Sequence, residues 1–237
     1  VVAAIGNELV WPGEPVSLGK VAASNMMTAA AELQSLGVSA STVLLRDSLD
    51  ELEDRLRSLV RRADVLITCG GVLDGDKDLT MRAMEQLGME KIFHRVRIGP
   101  GKGACMGRAD RTIVFNLPGG PPSNHVALLL LALPGVRRLM GAMNFLPEKR
   151  KVLVTKELAG QENWTQLVYS RVTYEKGLLF AVPLLGTKRL EAMSMANALL
   201  EIPERCTRIK EGGLAKAWFF QGSGLSDWAR HNDHWPA

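Results

Sequence analysis

Residues 68–80 read TCGGVLDGDKDLT: Gly70 and Gly71 follow an apolar run, then come Asp74, Gly75, Asp76, Lys77 and Asp78. Glycines let a backbone approach an anion closely, and carboxylates hold hard cations such as Mg²⁺. Three carboxylates crowded together without a cation or hydrogen-bond donors would repel one another. A solvated turn explains the stretch equally well when it is taken alone. Three further segments put glycines or acids directly after an apolar run: Gly6-Asn7-Glu8, Arg46-Asp47, and LPGGPPSN at 117–124. IGPGKG at 98–103 adds Lys102 between glycines, close in sequence to His94, Arg95, Arg97, Arg108 and Arg111. Each has a plain structural reading too. Asp47 is a favoured helix-capping residue, the basic cluster fits a solvated face, and the prolines and glycines of LPGGPPSN fit the entry to a helix.

The elements that would position these residues alternate between two periods. VVAAIG, ASTVLLR (40–46), DVLITCGG (64–71), IFHRVRIGP (92–100) and CMGRADRTIVFNLPGG (105–120) predict strands, the last with a turn near Ala109-Asp110. Between them SNMMTAAAELQSLG (24–37) predicts a helix capped by Ser24 and stopped by Gly37. Leu49, Leu52, Leu56, Leu59, Val60 and Ala63 fall on one helical face, with Ser48 and Glu51 spaced as a capping box. LTMRAMEQLG (79–88) and PSNHVALLLLAL (122–133) predict two more helices. Alternation of this kind predicts an α/β fold: a mostly parallel sheet with helices on both faces. Ligands of such sheets bind beyond the carboxyl ends of the strands, where all four glycine or acid segments would converge. From LPEKRKV (146–152) the pattern becomes short strands separated by turns. The expected organisation is an α/β domain over 1–147, a small β-rich domain over 148–220 and an irregular tail over 221–237.

Composition narrows the function classes. Of 237 residues, 46% are hydrophobic and 23% charged, with a net charge of +4. That is ordinary globular composition, with a mild bias towards anionic partners. No apolar run reaches the roughly 18 residues that span a bilayer, so no membrane partner is expected. Aromatic residues are 5% and are not interleaved with a basic run, so no nucleic-acid partner is expected either. Cys69, Cys105 and Cys206 are odd in number and widely spaced. They form no zinc or disulfide pattern, which suits the cytoplasm.

The order GNELVWPGEP…G…SN, RD, ITCGGVLDGDKDLT, PGKG and LPGGPPSN resembles the molybdopterin molybdenumtransferase family, the MoeA and gephyrin E-domain type. The likeness runs over about residues 5–141. The stretch from 148 to 220, with LEAMSMANALLEIPE, looks like the family's C-terminal β-barrel domain. The resemblance implies insertion of molybdate-derived molybdenum into adenylylated molybdopterin, with loss of AMP and with Mg²⁺ assisting. It implies catalytic roles for Glu8, Asp47 and Asp78, with Asp47 and Asp78 as metal ligands. It assigns ligand binding to Gly70, Gly71, Gly75, Asp76, Pro100, Gly101, Lys102, Pro118, Gly119, Gly120, Pro121 and Ser123. It also implies a homodimer in the full-length protein. Family members carry two further domains before this point, and the chain starts at Val1 rather than methionine, so it is expected to be a C-terminal half.

Several positions depart from the family pattern. Asn7 stands for an acid, Leu73 for serine, Asp74 for valine, Lys77 for tyrosine, Gly99 for lysine, Gly103 for proline and Gly120 for asparagine. The altered loop favours one alternative, a non-enzymatic pterin-binding or scaffold paralogue; an adenylyltransferase of molybdopterin stays open as another. Tungstate is chemically close to molybdate and is not distinguished from it. His231 and His234 fall in the expected tail and read as structural. Met26, Met27 and the methionines of LEAMSMAN read as core filler, and Cys69 as a small buried hydrophobe.

Overall fold

A computed structural model of the chain describes residues 1–71 and 79–220. The chain divides into two units, one of Val1–Val96 and Gly101–Phe145, the other of Arg97–Pro100 and the chain from Leu146 onward. The expected tail, 221–237, lies outside the described residues.

The first unit opens with β1 (Val2–Ile5), a short ladder of β2 (Leu9–Val10) and β3 (Val21–Ala22), and α1 (Ser24–Ser35). Then come β4 (Thr42–Leu45), α2 (Leu49–Val60), β5 (Val65–Cys69), α3 (Leu79–Gln86) and β6 (Glu90–His94). The two-residue strand β7 (Ile98–Gly99) belongs to the second unit. The first resumes with β8 (Cys105–Ala109), β9 (Thr112–Leu117), α4 (Pro121–Ala127), one π-helical turn (Leu128–Ala132) and α5 (Leu133–Leu139). The sheet order is β4-β1-β5-β9-β8-β6. β4, β1, β5 and β9 are mutually parallel. β8 runs against β9 and β6 against β8, so β6 points the same way as the parallel four. The expected single strand IFHRVRIGP is divided into β6 and β7, with Arg95 at φ +69° just beyond the end of β6.

One sheet face packs under α2 and α3. Leu52, Leu56 and Val60 of α2 are buried with Ala3, Ile5, Leu66, Met81, Met84 and Val114. Each such side chain contributes about 1.5–3 kcal/mol when fully removed from water. Ser48 is the N-cap of α2 in an extended conformation, but its hydroxyl makes no cap bond. The expected capping box with Glu51 is therefore replaced by backbone, with Leu52 N donating to Ser48 O at 2.8 Å. Ser24 is likewise the first helical residue of α1 rather than its cap, which is Ala23. Gly37, at φ +77°, stops α1, and Val38 N donates back to Leu33 O at 3.1 Å.

Met26, Ala29, Ala30 and Leu33 of α1 are also buried, as are Val126, Leu128, Leu133 and Val136 in the last helical stretch. That stretch was expected to end at residue 133 but runs to Leu139. Proline inside a helix lacks an N–H donor and its ring collides with the carbonyl four residues back. Here the π turn directly precedes Leu133-Pro134, and its wider bonding carries the helix past the proline. Gly135 brings this helix onto the sheet: a Cβ there would lie 2.5 Å from Phe115 Cζ.

The second unit adds β10 (Lys149–Val154), β11 (Leu158–Ala159), β12 (Thr165–Glu175), β13 (Leu178–Pro183), α6 (Arg189–Met195), β14 (Ala198–Ile202), β15 (Arg208–Ile209) and β16 (Leu214–Phe219). The order β13-β10-β16-β14-β12 closes on itself because β12 also pairs with β13. The result is a five-stranded barrel filled by Val152, Val154, Val172, Leu200, Ala217 and Phe219. β7 joins it through Ile98 and Gly99, which lie opposite Thr165 and Gln166 of β12. Of the methionines expected as core filler, Met26 is buried, whereas Met27 and Met195 are exposed.

The Gly135 contact makes a quantitative prediction. Gly135→Ala forces a methyl group into the Phe115 ring and should destabilise the chain by roughly 1–3 kcal/mol, the usual range for overpacking. Urea unfolding measures it; an unchanged midpoint would contradict the contact.

Candidate functional site

The parallel run of β4, β1, β5 and β9 sends all four carboxyl ends to one edge of the sheet. Gly6-Asn7-Glu8 follows β1, Arg46-Asp47 follows β4, Gly70-Gly71 follows β5, and Pro118-Gly119-Gly120 follows β9. β8 is antiparallel, with Cys105 opposite Asn116, so its beginning stands at the same edge and brings Gly101 and Lys102 with it. The structure thus gathers Glu8, Asp47, Gly70, Gly71, Gly101, Lys102, Pro118, Gly119, Gly120, Pro121 and Ser123 along one rim. Pro100 belongs to the second unit. Gly75, Asp76 and Asp78, with Leu73, Asp74 and Lys77, lie outside the described residues.

Close backbone contact holds the middle of the rim. Gly70 has φ +110°, and a Cβ there would sit 2.6 Å from the Ile5 carbonyl oxygen. Its N–H donates to Leu117 O at 3.0 Å, which ties β5 to the end of β9. A Cβ on Gly119 would reach Gly70 Cα at 3.5 Å. Gly71, at φ +67°, presses on Thr80 near the start of α3, where a Cβ would lie 2.0 Å from the hydroxyl oxygen. That hydroxyl is fully buried and has no hydrogen-bond partner among the described residues.

Three asparagines that the residue types alone did not single out brace the same loops. Asn25 Nδ2 donates to Gly119 O at 2.8 Å, and Asn124 Nδ2 donates to Pro118 O at 2.9 Å. Asn7 Oδ1 accepts from the Asp47 backbone N–H at 3.3 Å, joining the loops after β1 and β4. An acid at position 7 would place a second carboxylate beside Asp47; the amide gives the same bond without that repulsion. The only signal for Asn25 and Asn124 was their place in the SN and LPGGPPSN segments, because their partners are remote or backbone.

Both signs of charge occur at the β4–β1 end, where Arg46 precedes Asp47 and Lys20 Nζ donates to Asn7 O at 2.7 Å. Asp47 and Glu8 occupy the β4–β1 end, both exposed, and the Glu8 carboxylate folds back to within 2.7 Å of where a Gly6 Cβ would be. Lys102 occupies the β8 end. No group of three or more His, Cys, Asp or Glu side chains suited to a metal occurs among the described residues. Two exposed carboxylates are nevertheless hard oxygen donors, the kind Mg²⁺ takes in ones and twos together with water and substrate phosphate. Cys69 is inert: burial pushes its thiol up to about 12, against a smaller opposing effect of its hydrogen bond with Asn124. His125, next to Asn124, is pushed down to about 4 by burial and is neutral at physiological pH.

Residues 1–138 match the family described as "Probable molybdopterin binding domain". Molybdopterin molybdenumtransferase of Bacillus subtilis is 25% identical over 232 residues, covering 96% of this chain and 54% of its own length. Molybdopterin molybdenumtransferase 2 of Mycobacterium tuberculosis is 26% identical over 226 residues, covering 92% of this chain and 55% of its own length. The solved molybdopterin biosynthesis MoeA protein of Pyrococcus horikoshii superposes with a TM-score of 0.78 at 26% identity, covering 93% of this chain and 54% of its own. The chain spans about half the length of the relatives it matches.

The neutral His125 gives a pH prediction with a definite sign. Its folded pKa of about 4 lies below the ordinary value of 6.5, so between those values the unfolded chain binds more protons and stability falls as pH falls. His125→Gln should flatten the stability profile from pH 6.5 towards 4 in urea titrations. An unchanged slope would contradict the burial of a neutral imidazole.

Proposed function

The chain belongs to the molybdopterin-binding domain family, and we propose that it serves molybdenum insertion: molybdate-derived molybdenum enters adenylylated molybdopterin with release of AMP. The observation that carries this reading is the run of glycine loops along the rim, with carboxylates at its β4–β1 end and Lys102 at its β8 end. Four strand spacings separate β4 from β8, on the order of 19 Å at the usual distance between neighbouring strands. A pterin joined through a pyrophosphate to adenosine is long enough to span it, with its phosphates over the glycines in the middle.

Each group has a role in this reading. Backbone N–H groups of Gly71, Gly119, Gly120 and Ser123 bind phosphate oxygens, that of Gly70 being given to Leu117 O, and glycine is needed because a side chain would keep the ligand off the backbone. Lys102 adds positive charge at one end. Asp47 and Asp78 would hold Mg²⁺, with Glu8 on the strand end next to that of Asp47; a bound Mg²⁺ would supply charge neutralisation where two anions must meet. The neutral Asn7 keeps the Asp47 loop in place without adding to that negative charge.

The reading includes a homodimer in the full-length protein and action in the cytoplasm; no helix among the described residues is long and apolar enough to cross a membrane. The substituted loop residues Leu73, Asp74 and Lys77, together with Gly99, favour a second reading: a pterin-binding paralogue without catalytic activity. An adenylyltransferase is less well supported, because the curated molybdenumtransferases match across the barrel unit as well.

Genetic rescue separates these readings. The full-length gene should restore molybdenum cofactor synthesis to a strain lacking its molybdenumtransferase. Asp47→Ala and Asp78→Ala should each lower insertion on the order of 10–100-fold while thermal midpoints stay within about 2 °C, the scale of a sub-kilocalorie change. Failure to rescue despite good expression and molybdopterin binding would favour the non-catalytic paralogue. Equal loss of activity and thermal stability would make Asp47 a structural residue of its loop.

A further inference from the structure

Among the described residues, the buried polar side chains of the first unit are Thr68, Thr80, Thr112, Asn116 and Asn124. Thr112 stands at the edge of the sheet remote from the rim, where it is bonded to the carbonyls of Val60 and Ala63. The other four lie under the rim. Thr68 comes two residues before Gly70 and Asn116 two before Pro118, Asn124 holds Pro118 O, and Thr80 presses on Gly71. The apolar core thus turns polar beneath the glycine loops, about 7 Å down the strands.

Thr68 and Asn116 are direct partners across the parallel pair of β5 and β9. Thr68 Oγ1 donates to Asn116 Oδ1 at 2.8 Å, and both residues are fully buried. Asn116 Nδ2 in turn donates to Met81 Sδ at 3.2 Å, and Met81 follows Thr80 on α3. One amide therefore joins β5, β9 and α3, the elements that meet around Gly71. Cys69 points to the other sheet face, where it is bonded to Asn124. Stability alone does not account for the Thr68–Asn116 pair. A thioether is a weak acceptor, and replacing both partners of a buried hydrogen bond by apolar groups of the same shape is nearly neutral or stabilising. What an apolar pair would not supply is direction. Aliphatic side chains let strands and helix settle wherever packing is best, whereas a hydrogen bond holds its partners within narrow limits of distance and angle.

We propose that Asn116, held by Thr68, is a positioning residue of the rim. It fixes the spacing of the loops after β5 and β9 and sets α3 against Gly71, without touching the ligand. The proposal rests on reading the rim as a pterin site. Phosphate oxygens that bridge the N–H groups of Gly71 and of Gly119 or Gly120 need those loops at one separation, and a site whose support lets it drift by about 1 Å loses its function.

Isothermal titration of the 237-residue chain with inorganic pyrophosphate, alongside thermal melts, separates positioning from support. Thr68→Ser keeps the hydroxyl and loses a methyl group. It should melt about 2–4 °C lower and bind pyrophosphate within about twofold of wild type. The double variant Thr68→Val/Asn116→Leu replaces both polar groups by apolar ones. It should melt no lower than Thr68→Ser, yet bind on the order of 10-fold more weakly. Binding by the double variant within about twofold of wild type would overturn the proposal and leave the pterin reading standing. A double variant that melts well below Thr68→Ser would overturn it too, by making the pair a support of the core. A wild-type chain that binds neither pyrophosphate nor, in a parallel titration, molybdopterin would overturn the pterin reading and the proposal with it.

Discussion

Backbone-to-backbone contact at the ends of three adjacent strands is the constraint on which the rest of the first unit depends. Gly70 lies against the carbonyl of Ile5 at the end of β1 and bonds to Leu117 at the end of β9, while Gly119 leans on Gly70 itself. No side chain fits at Gly70. The loops after β1, β5 and β9 are therefore drawn together into a floor of backbone, a surface suited to phosphate and hostile to bulky apolar groups. The asparagines at 25 and 124 hold the rim of that floor by bonding the carbonyls of Gly119 and Pro118. In the proposed reading the N–H groups of Gly71, Gly119 and Gly120 serve a ligand, that of Gly70 being given to Leu117 O.

Upon that floor the sheet order imposes the distribution of charge. Asp47 and Glu8 sit on neighbouring strand ends because β4 pairs with β1, and Lys102 is remote from them because β5 and β9 intervene. Parallel pairing through crossover helices fixes this order once the chain is folded, and no rearrangement of side chains can change it. A ligand with acidic and metal-seeking chemistry at one end and phosphates along its length suits such a rim. The barrel unit is closed, so its strands present no long free edge, and its single added strand, β7, comes from the four residues next to Gly101.

Much of this was legible in the residues because it rests on local periodicity. The apolar face of α2 and the glycine stops at Gly37 and Gly88 needed no long-range information. What escaped was decided by tertiary contact. Ser48 and Glu51 have the spacing of a capping box, yet the turn is closed by backbone alone. Pro134 reads as a helix end, yet a π turn carries the helix beyond it because the apolar residues on both sides are buried. IFHRVRIGP reads as one strand, but Arg95 turns out of the sheet and Ile98–Gly99 joins the other unit. Asn25 and Asn124 show in the residues only as members of the SN and LPGGPPSN segments, and their bonds to the Gly119 and Pro118 carbonyls are decided by the fold. The acids of TCGGVLDGDKDLT beyond Gly71 lie outside the described residues, so their reading rests on the resemblance alone.

The central claim is that one ligand lies along the rim from the β4 end to the β8 end, its phosphates on the glycine floor. A crystal structure of the full-length protein with adenylylated molybdopterin tests it most directly. The account predicts phosphate oxygens within hydrogen-bond distance of the backbone after β5 and β9, with the two ends of the ligand directed towards Asp47 and Lys102. A ligand seated at the opposite edge of the sheet, or one confined to either end of the rim with the glycine floor uncontacted, would contradict it.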